Sequence, residues 1–241
     1  MAKLRKIISI FIFVIVLFTS TSCLTLVENQ EKNVINDFTT NGIISATFSV
    51  DVYKKIAFKN EKVAQGSGVI YSKKEDDDKV TTYYLLTNNH VVANGTLYAV
   101  KDCYGGEYSA TLIKSDPNYD LAILKFNSLE SYKMLNFVQS DVVYGDNVIS
   151  VGTPNGQINA VTFGKVKAYT YVTIEGDDPD STINFKVIEH DAPIYNGSSG
   201  GVLLNYNYEI CGINYATHAE NGQFKSGYAV SASKVLEFIN G

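Results

Sequence analysis

The chain has 241 residues, a formal net charge of −5 and 45 % hydrophobic residues, an ordinary apolar content for a soluble globular protein. Residues 1–22 hold Lys3, Arg5 and Lys6 and no acid, which leaves the remainder at −8. An acidic body argues against nucleic acid as a partner, because that binding leans on Lys and Arg against phosphate.

In chain order, Met1–Ser22 reads as a targeting segment. A basic start precedes an apolar run, Ile7–Phe18, interrupted only by Ser9. That run is short for a transmembrane helix and fits an export signal. Small residues, Thr19-Ser20-Thr21-Ser22, lead up to Cys23 and resemble a bacterial lipobox, with Ser20 where that pattern wants Leu. The favoured fate is lipidation at Cys23, giving a membrane anchor of two or three acyl chains. Ordinary cleavage and secretion, or retention as an uncleaved anchor, are the alternatives. Residues 23–42 read as a tether with a short helix over Val34–Thr40.

From Ile43 the texture is β, and the domain is read as 43–241. Strands are expected at Ile43–Val52, Gly66–Tyr71, Tyr83–Thr87, Leu97–Val100, Glu107–Ile113 and Ala122–Phe126. The charge run Lys73–Lys79 is an exposed hairpin loop. A linker near Asn127–Asp141 precedes a second set: Asn147–Val151, Ala160–Tyr171 broken at Gly164, Ile183–Ile188, Gly201–Leu204, Glu209–Asn214 and Gly227–Val230. A helix over Ser231–Asn240, capped by Ser231 or Ser233, ends the domain, with Val235, Leu236 and Ile239 on one face. Glu175–Asp180 is an acidic turn in which a solvated loop outweighs a calcium site. No Cys-x-x-Cys or Cys/His cluster suggests a metal, and Cys103 and Cys211 read as separate thiols rather than a disulfide. The fold class is all-β: two six-stranded antiparallel β-barrels, 43–130 and 140–230, with a C-terminal helix over 231–240.

Three motifs carry chemistry. Gly197-Ser198-Ser199-Gly200-Gly201 is a G-x-S-G-G loop whose trailing glycines select Ser199 over Ser198 as a nucleophile. A serine at neutral pH needs a base and a group to orient that base. Thr87-Asn88-Asn89-His90-Val91-Val92 offers His90, and Asp120-Leu121-Ala122-Ile123-Leu124 offers Asp120, favoured over Asp116. With these two in the first strand set and Ser199 in the second, the site is expected between the barrels.

These motifs in this order resemble the trypsin-like serine proteases, closest to the HtrA (DegP-type) protease domain. Gly66-Ser67-Gly68-Val69-Ile70, Asp116–Lys125, Gly145–Gly156 and Cys211-Gly212-Ile213-Asn214 match as well. The resemblance implies a chymotrypsin-like fold and peptide-bond hydrolysis of protein or peptide substrates through an acyl-enzyme, with no cofactor. It implies a catalytic triad of His90, Asp120 and Ser199, and an oxyanion hole from the backbone N–H groups of Gly197 and Ser199. It places Ile194, Tyr215, Ala216 and Thr217 along the primary specificity pocket, near Gly227-Tyr228-Ala229. No acid falls at the pocket base, so a small or medium apolar side chain is expected rather than Arg or Lys. Asn214 stands where the glutamyl endopeptidases have histidine, which disfavours Glu. Departures are Ser198 for the usual Asn, Val202 for Pro, and Pro193 and Tyr195 before the nucleophile. No PDZ module is expected after the protease domain, and the oligomeric state is open. The alternative function is a protease-fold binding protein of little activity at the cell surface.

Overall fold

The computed structural model describes residues 30–75, 79–172 and 182–241. The expected export segment 1–22, Cys23 and the acidic stretch 175–180 lie outside the described residues. The chain divides into two compact units, Met1–Asn41 and Gly42–Gly241. In the first, residues 30–40 form a helix, α1.

The second unit holds twelve strands in two closed antiparallel barrels, the architecture expected from the sequence. The first contains β1 (Thr47–Ile56), β2 (Lys59–Glu75), β3 (Thr81–Thr87), β4 (Leu97–Lys101), β5 (Glu107–Asp116) and β6 (Leu121–Ser128), closed in the order 1-2-3-6-5-4. The second contains β7 (Asn147–Gly152), β8 (Ala160–Thr170), β9 (Val187–His190), β10 (Val202–Leu204), β11 (Ile210–Glu220) and β12 (Gln223–Ser231), closed in the order 10-11-12-9-8-7. One helical turn, α2 (Asn89–Val92), follows β3, and α3 (Ala232–Asn240) follows β12.

Alternation along each strand sends one set of side chains inward. Phe48, Val50, Ile70, Leu85, Leu124 and Phe126 fill the first barrel; Val148, Val166, Ile188, Leu203 and Ala229 fill the second. The first core also carries a polar network. Tyr132 donates its hydroxyl to Asp102 Oδ2 at 2.6 Å, while Asp102 Oδ1 accepts the Tyr104 and Gly106 N–H groups at 2.8 and 2.7 Å. A buried carboxylate is tolerated because its lone pairs are met in this way. Cys103 and Cys211 are free thiols.

Several elements differ from the sequence expectation. Residues Ile43–Ala46 are a 3-10 turn, so β1 starts at Thr47. β2 begins at Lys59 and runs through Lys73–Glu75, which the charge run had assigned to a loop. β8 continues through Gly164, where an added Cβ would collide with the Ala192 backbone; the residue serves packing rather than a break. The end of α3 is held not by Ser231 but by Asp141 of the linker, which accepts the Ser233 N–H at 3.0 Å and its hydroxyl at 2.6 Å. Val235 and Phe238 are the large apolar side chains that α3 buries, in place of the expected Leu236 and Ile239.

Asp51, on β1, is buried between Lys62 at 2.6 Å and Lys101 at 3.0 Å. Burial pushes its carboxyl up, but the hydrogen bonds and charges of the two lysines outweigh that and hold it below the usual value. A depressed carboxylate stabilises the fold above its unfolded pKa of about 3.9, and that contribution is lost as pH falls through the folded value. Asp51→Asn should therefore cost about 1 kcal/mol at pH 7, since both lysines are partly solvated. In denaturant titrations repeated down to about pH 3, the gap from wild type should close. A gap independent of pH would mean that the carboxylate charge is not what stabilises.

Candidate active site

Asp120 lies in the tight turn between β5 and β6, is fully buried, and has a positive φ of 48°. That conformation is costly for a residue with a Cβ. The Asn88 amide holds it by donating to the Asp120 carbonyl at 2.8 Å. The carboxylate then faces α2. Oδ1 accepts the His90 backbone N–H at 2.9 Å, and Oδ2 lies 2.7 Å from His90 Nδ1. A carboxylate only accepts, so Nδ1 carries the hydrogen and Nε2 is left as the basic nitrogen. The imidazole is a quarter exposed, whereas the carboxylate is sealed off.

Ser199 sits in the loop between β9 and β10. The loop turns twice: Ser198 N–H donates to Tyr195 O at 2.8 Å and Gly201 N–H to Ser198 O at 2.9 Å. Gly197 and Gly200 supply φ values of 95° and 81°. A Cβ at Gly200 would strike the Ser67 carbonyl and the Thr87 hydroxyl, so only glycine fits there. Among the described residues, the N–H groups of Gly197 and Ser199 have no acceptor. The Ser199 hydroxyl lies 3.5 Å from the Tyr215 carbonyl, too long to hold it in one rotamer.

The first barrel fixes this loop through Ser67 of β2. Ser67 N–H donates to Ser199 O at 2.7 Å, and its hydroxyl donates to Gly197 O at 2.7 Å. The same hydroxyl accepts Thr153 N–H at 2.8 Å, and the Ser67 carbonyl accepts the Thr87 hydroxyl at 2.7 Å. In the sequence, the signal for this role is a polar side chain between two glycines, Gly66-Ser67-Gly68.

The residues expected at the specificity pocket separate. Ile194 and Tyr215 are buried, Ala216 is half-buried, and Thr217 is exposed. Burial raises the Tyr215 phenol well above its usual pKa, with Asp120 and Tyr228 adding to the effect. Thr217 borders a cavity of about 240 Å³ together with Tyr195, Asn196, Ala219 and Phe224, and no charged side chain lines it. Tyr195, Asn196 and Phe224 had not been anticipated at the pocket; Phe224 lies outside every motif. A larger cavity of about 410 Å³ lies behind the nucleophile loop, against Ser198, Pro193, Gly152 and Pro154. His190 is fully buried, and burial pushes its pKa down to about 4, so it is neutral. It packs beside Gly227. Among the described residues, no group of three or more His, Cys, Asp or Glu side chains could hold a metal ion.

The chain is similar to known proteins. The periplasmic serine endoprotease DegP of Escherichia coli is 35 % identical over 148 residues, covering 61 % of this chain and 30 % of that protein. A probable DegP-like periplasmic endoprotease of Rickettsia prowazekii is 30 % identical over 223 residues, covering 88 % and 40 %. The chain thus spans less than half the length of these relatives. Among solved structures, the HtrA-type protease AlgW with a tripeptide superposes with a TM-score of 0.67 at 30 % identity, covering 82 % of this chain and 60 % of that one. A serine endoprotease of Yersinia pestis gives 0.62 at 26 % identity, covering 82 % and 62 %. The trypsin-like peptidase domain model matches residues 66–213, from the strand that carries Ser67 to the strand that pairs with β10, and on that match the chain belongs to the trypsin-like peptidase family.

Proposed function

We propose that this chain is an exported, lipid-anchored serine endopeptidase acting through His90, Asp120 and Ser199. The observation that carries the reading is the 2.7 Å contact between His90 Nδ1 and the buried Asp120 carboxylate, in a family of peptidases. In this reading Nε2 takes the Ser199 proton as Oγ attacks the scissile carbonyl. Asp120 keeps the imidazole in the useful tautomer and stabilises the imidazolium. The Gly197 and Ser199 N–H groups receive the oxyanion, an effect worth about 10²–10³ in rate for one donor. Nε2 then protonates the leaving amine, and water repeats the sequence on the acyl-enzyme.

The uncharged cavity beside Thr217 and Phe224 favours an apolar or neutral substrate side chain over Arg or Lys. Export follows from the basic and apolar start of the chain, and relatives named as periplasmic support it. Cys23 would carry the anchor, and the substrates would be proteins at the outer face of the membrane.

Labelling with a fluorophosphonate followed by peptide mass spectrometry should place the adduct on Ser199 and lose it in His90→Ala. Ser199→Ala should lower casein cleavage on the order of 10⁴-fold or more; unchanged cleavage would overturn the assignment. Ser67→Ala should leave the circular dichroism intact yet reduce kcat by roughly 10²-fold, as a misplacement of about 1 Å does. A full-rate Ser67→Ala enzyme would show that the loop needs no such tie. Cleavage should rise between about pH 6 and 8 as a histidine base loses its proton. A profile flat from about pH 5 to 9 would count against a histidine base.

A further inference from the structure

The hairpin joining β1 and β2 leaves the barrel. β1 pairs with β4 only from Ser49 to Tyr53, and β2 pairs with β3 only from Val69 onward. Beyond Tyr53 the two strands bond only to each other, with Lys54 opposite Glu61, Lys55 opposite Asn60 and Ile56 opposite Lys59. All ten residues from 54 to 63 are exposed. A two-residue turn, Ala57-Phe58, closes the finger, with Ala57 at a φ of 54°. Phe58 is 98 % exposed, and Ile56 and Val63 are exposed as well. Lys54, Lys55 and Lys59 flank this tip; Lys62 is engaged by Asp51.

Two features need a reason. A two-stranded finger is marginally stable by itself in water, and a bare aromatic at its apex gains nothing there. Yet the body behind it is acidic while the finger is basic. An apolar tip ringed by lysines is the composition that settles at the boundary of headgroups and acyl chains. Anionic headgroups attract the lysines, and the aromatic enters beneath them. Finger-to-finger pairing of two copies is a poorer arrangement, because two such tips bring like charges together.

We infer that the Lys54–Val63 finger docks on an anionic phospholipid surface, with Phe58 inserted at the interface. The contact is separate from catalysis and from the lipid on Cys23, so it stands or falls independently of the peptidase reading.

The chain has no tryptophan, so Phe58→Trp makes a single fluorescent reporter at an exposed position. The full chain carrying this change would be reconstituted into phosphatidylcholine vesicles with and without phosphatidylglycerol, where its N-terminal segment holds it at the surface. The expected result is a blue-shifted emission, quenched by brominated lipid, only when phosphatidylglycerol is present. Reversing the three lysines together to Glu should abolish it, as about a hundredfold weaker surface attraction would. Water-like emission in both vesicles would overturn the inference. So would a blue shift that grows with protein concentration and ignores brominated lipid, which would assign the finger to a second copy. Casein cleavage should be the same in Phe58→Trp as in the unmodified chain, which confirms that the reporter leaves the fold intact.

Discussion

Everything at the site hangs on one serine that does no chemistry in the mechanism. His90 and Asp120 belong to the first barrel and Ser199 to the second, so their alignment is a matter of how the barrels dock. Ser67 makes the connection with its N–H and its hydroxyl, reaching Ser199, Gly197 and Thr153, while its carbonyl accepts Thr87 within the first barrel. Each bond alone is worth only about 1 kcal/mol. Together the three bonds that cross between the barrels fix the position of the Ser199 loop. Gly66 serves the same contact, since a Cβ there would meet the Ser199 carbonyl and the Val91 side chain, whereas Gly68 makes room for Leu85 inside the first barrel.

Asp120 presents the opposite problem, a charge sealed away from water in a strained backbone. Burying an ion costs several kcal/mol unless its oxygens are met. Two donors from one residue, the His90 N–H and Nδ1–H, meet both oxygens, so the cost and the orientation of the imidazole are linked. Asn88 holds the carbonyl of the same residue from two positions before the histidine. The Thr-Asn-Asn-His segment is thus one device: it caps the strained turn, places the ring and selects its tautomer.

That linkage explains what could be read from the sequence. Ser199, His90 and Asp120 stand out as candidates because each sits among residues that close approach restricts, and such restrictions leave glycines and asparagines at fixed offsets; of these, the His90–Asp120 contact is present in the structure. Barrel strands were legible where burial leaves a short, nearly continuous β-rich apolar run, as in Tyr83–Thr87 and Ala122–Phe126. Lys59–Gln65 was not, because a strand whose residues are nearly all exposed has no alternation to read. Gly164 misled for a related reason: a glycine demanded by a neighbour's backbone looks in sequence like a glycine that ends a strand. Asp141 capping α3 was hidden because the contact spans 92 residues, and local capping rules see only the serines beside it. Phe224 at the pocket falls in the same class, brought there by the β11–β12 register rather than by any local pattern.

The nucleophile loop is supported unequally on its two sides. Toward the first barrel it is bonded through Ser67. Behind it lies a cavity of about 410 Å³ rather than packed side chains. On that side its shape rests on the Asn155 N–H donating to the Asn196 carbonyl at 2.8 Å and on the turn from Ser198 to Tyr195. The peptide joining Asn196 to Gly197 carries one of the two free donors, so the Asn155 bond sets where that donor points. The Asn196–Gly197 peptide is bonded at its carbonyl alone, whereas Ala192, Ile194 and Ser198 in the same loop are buried. A modest difference in interaction free energy between two loop shapes then decides how often both donors converge. The geometry of Asp120 and His90, locked in the first barrel, does not share that freedom. Within the candidate site, His90 is set by the buried Asp120 carboxylate of the first barrel, and the N–H groups of Gly197 and Ser199 are set by the loop between β9 and β10.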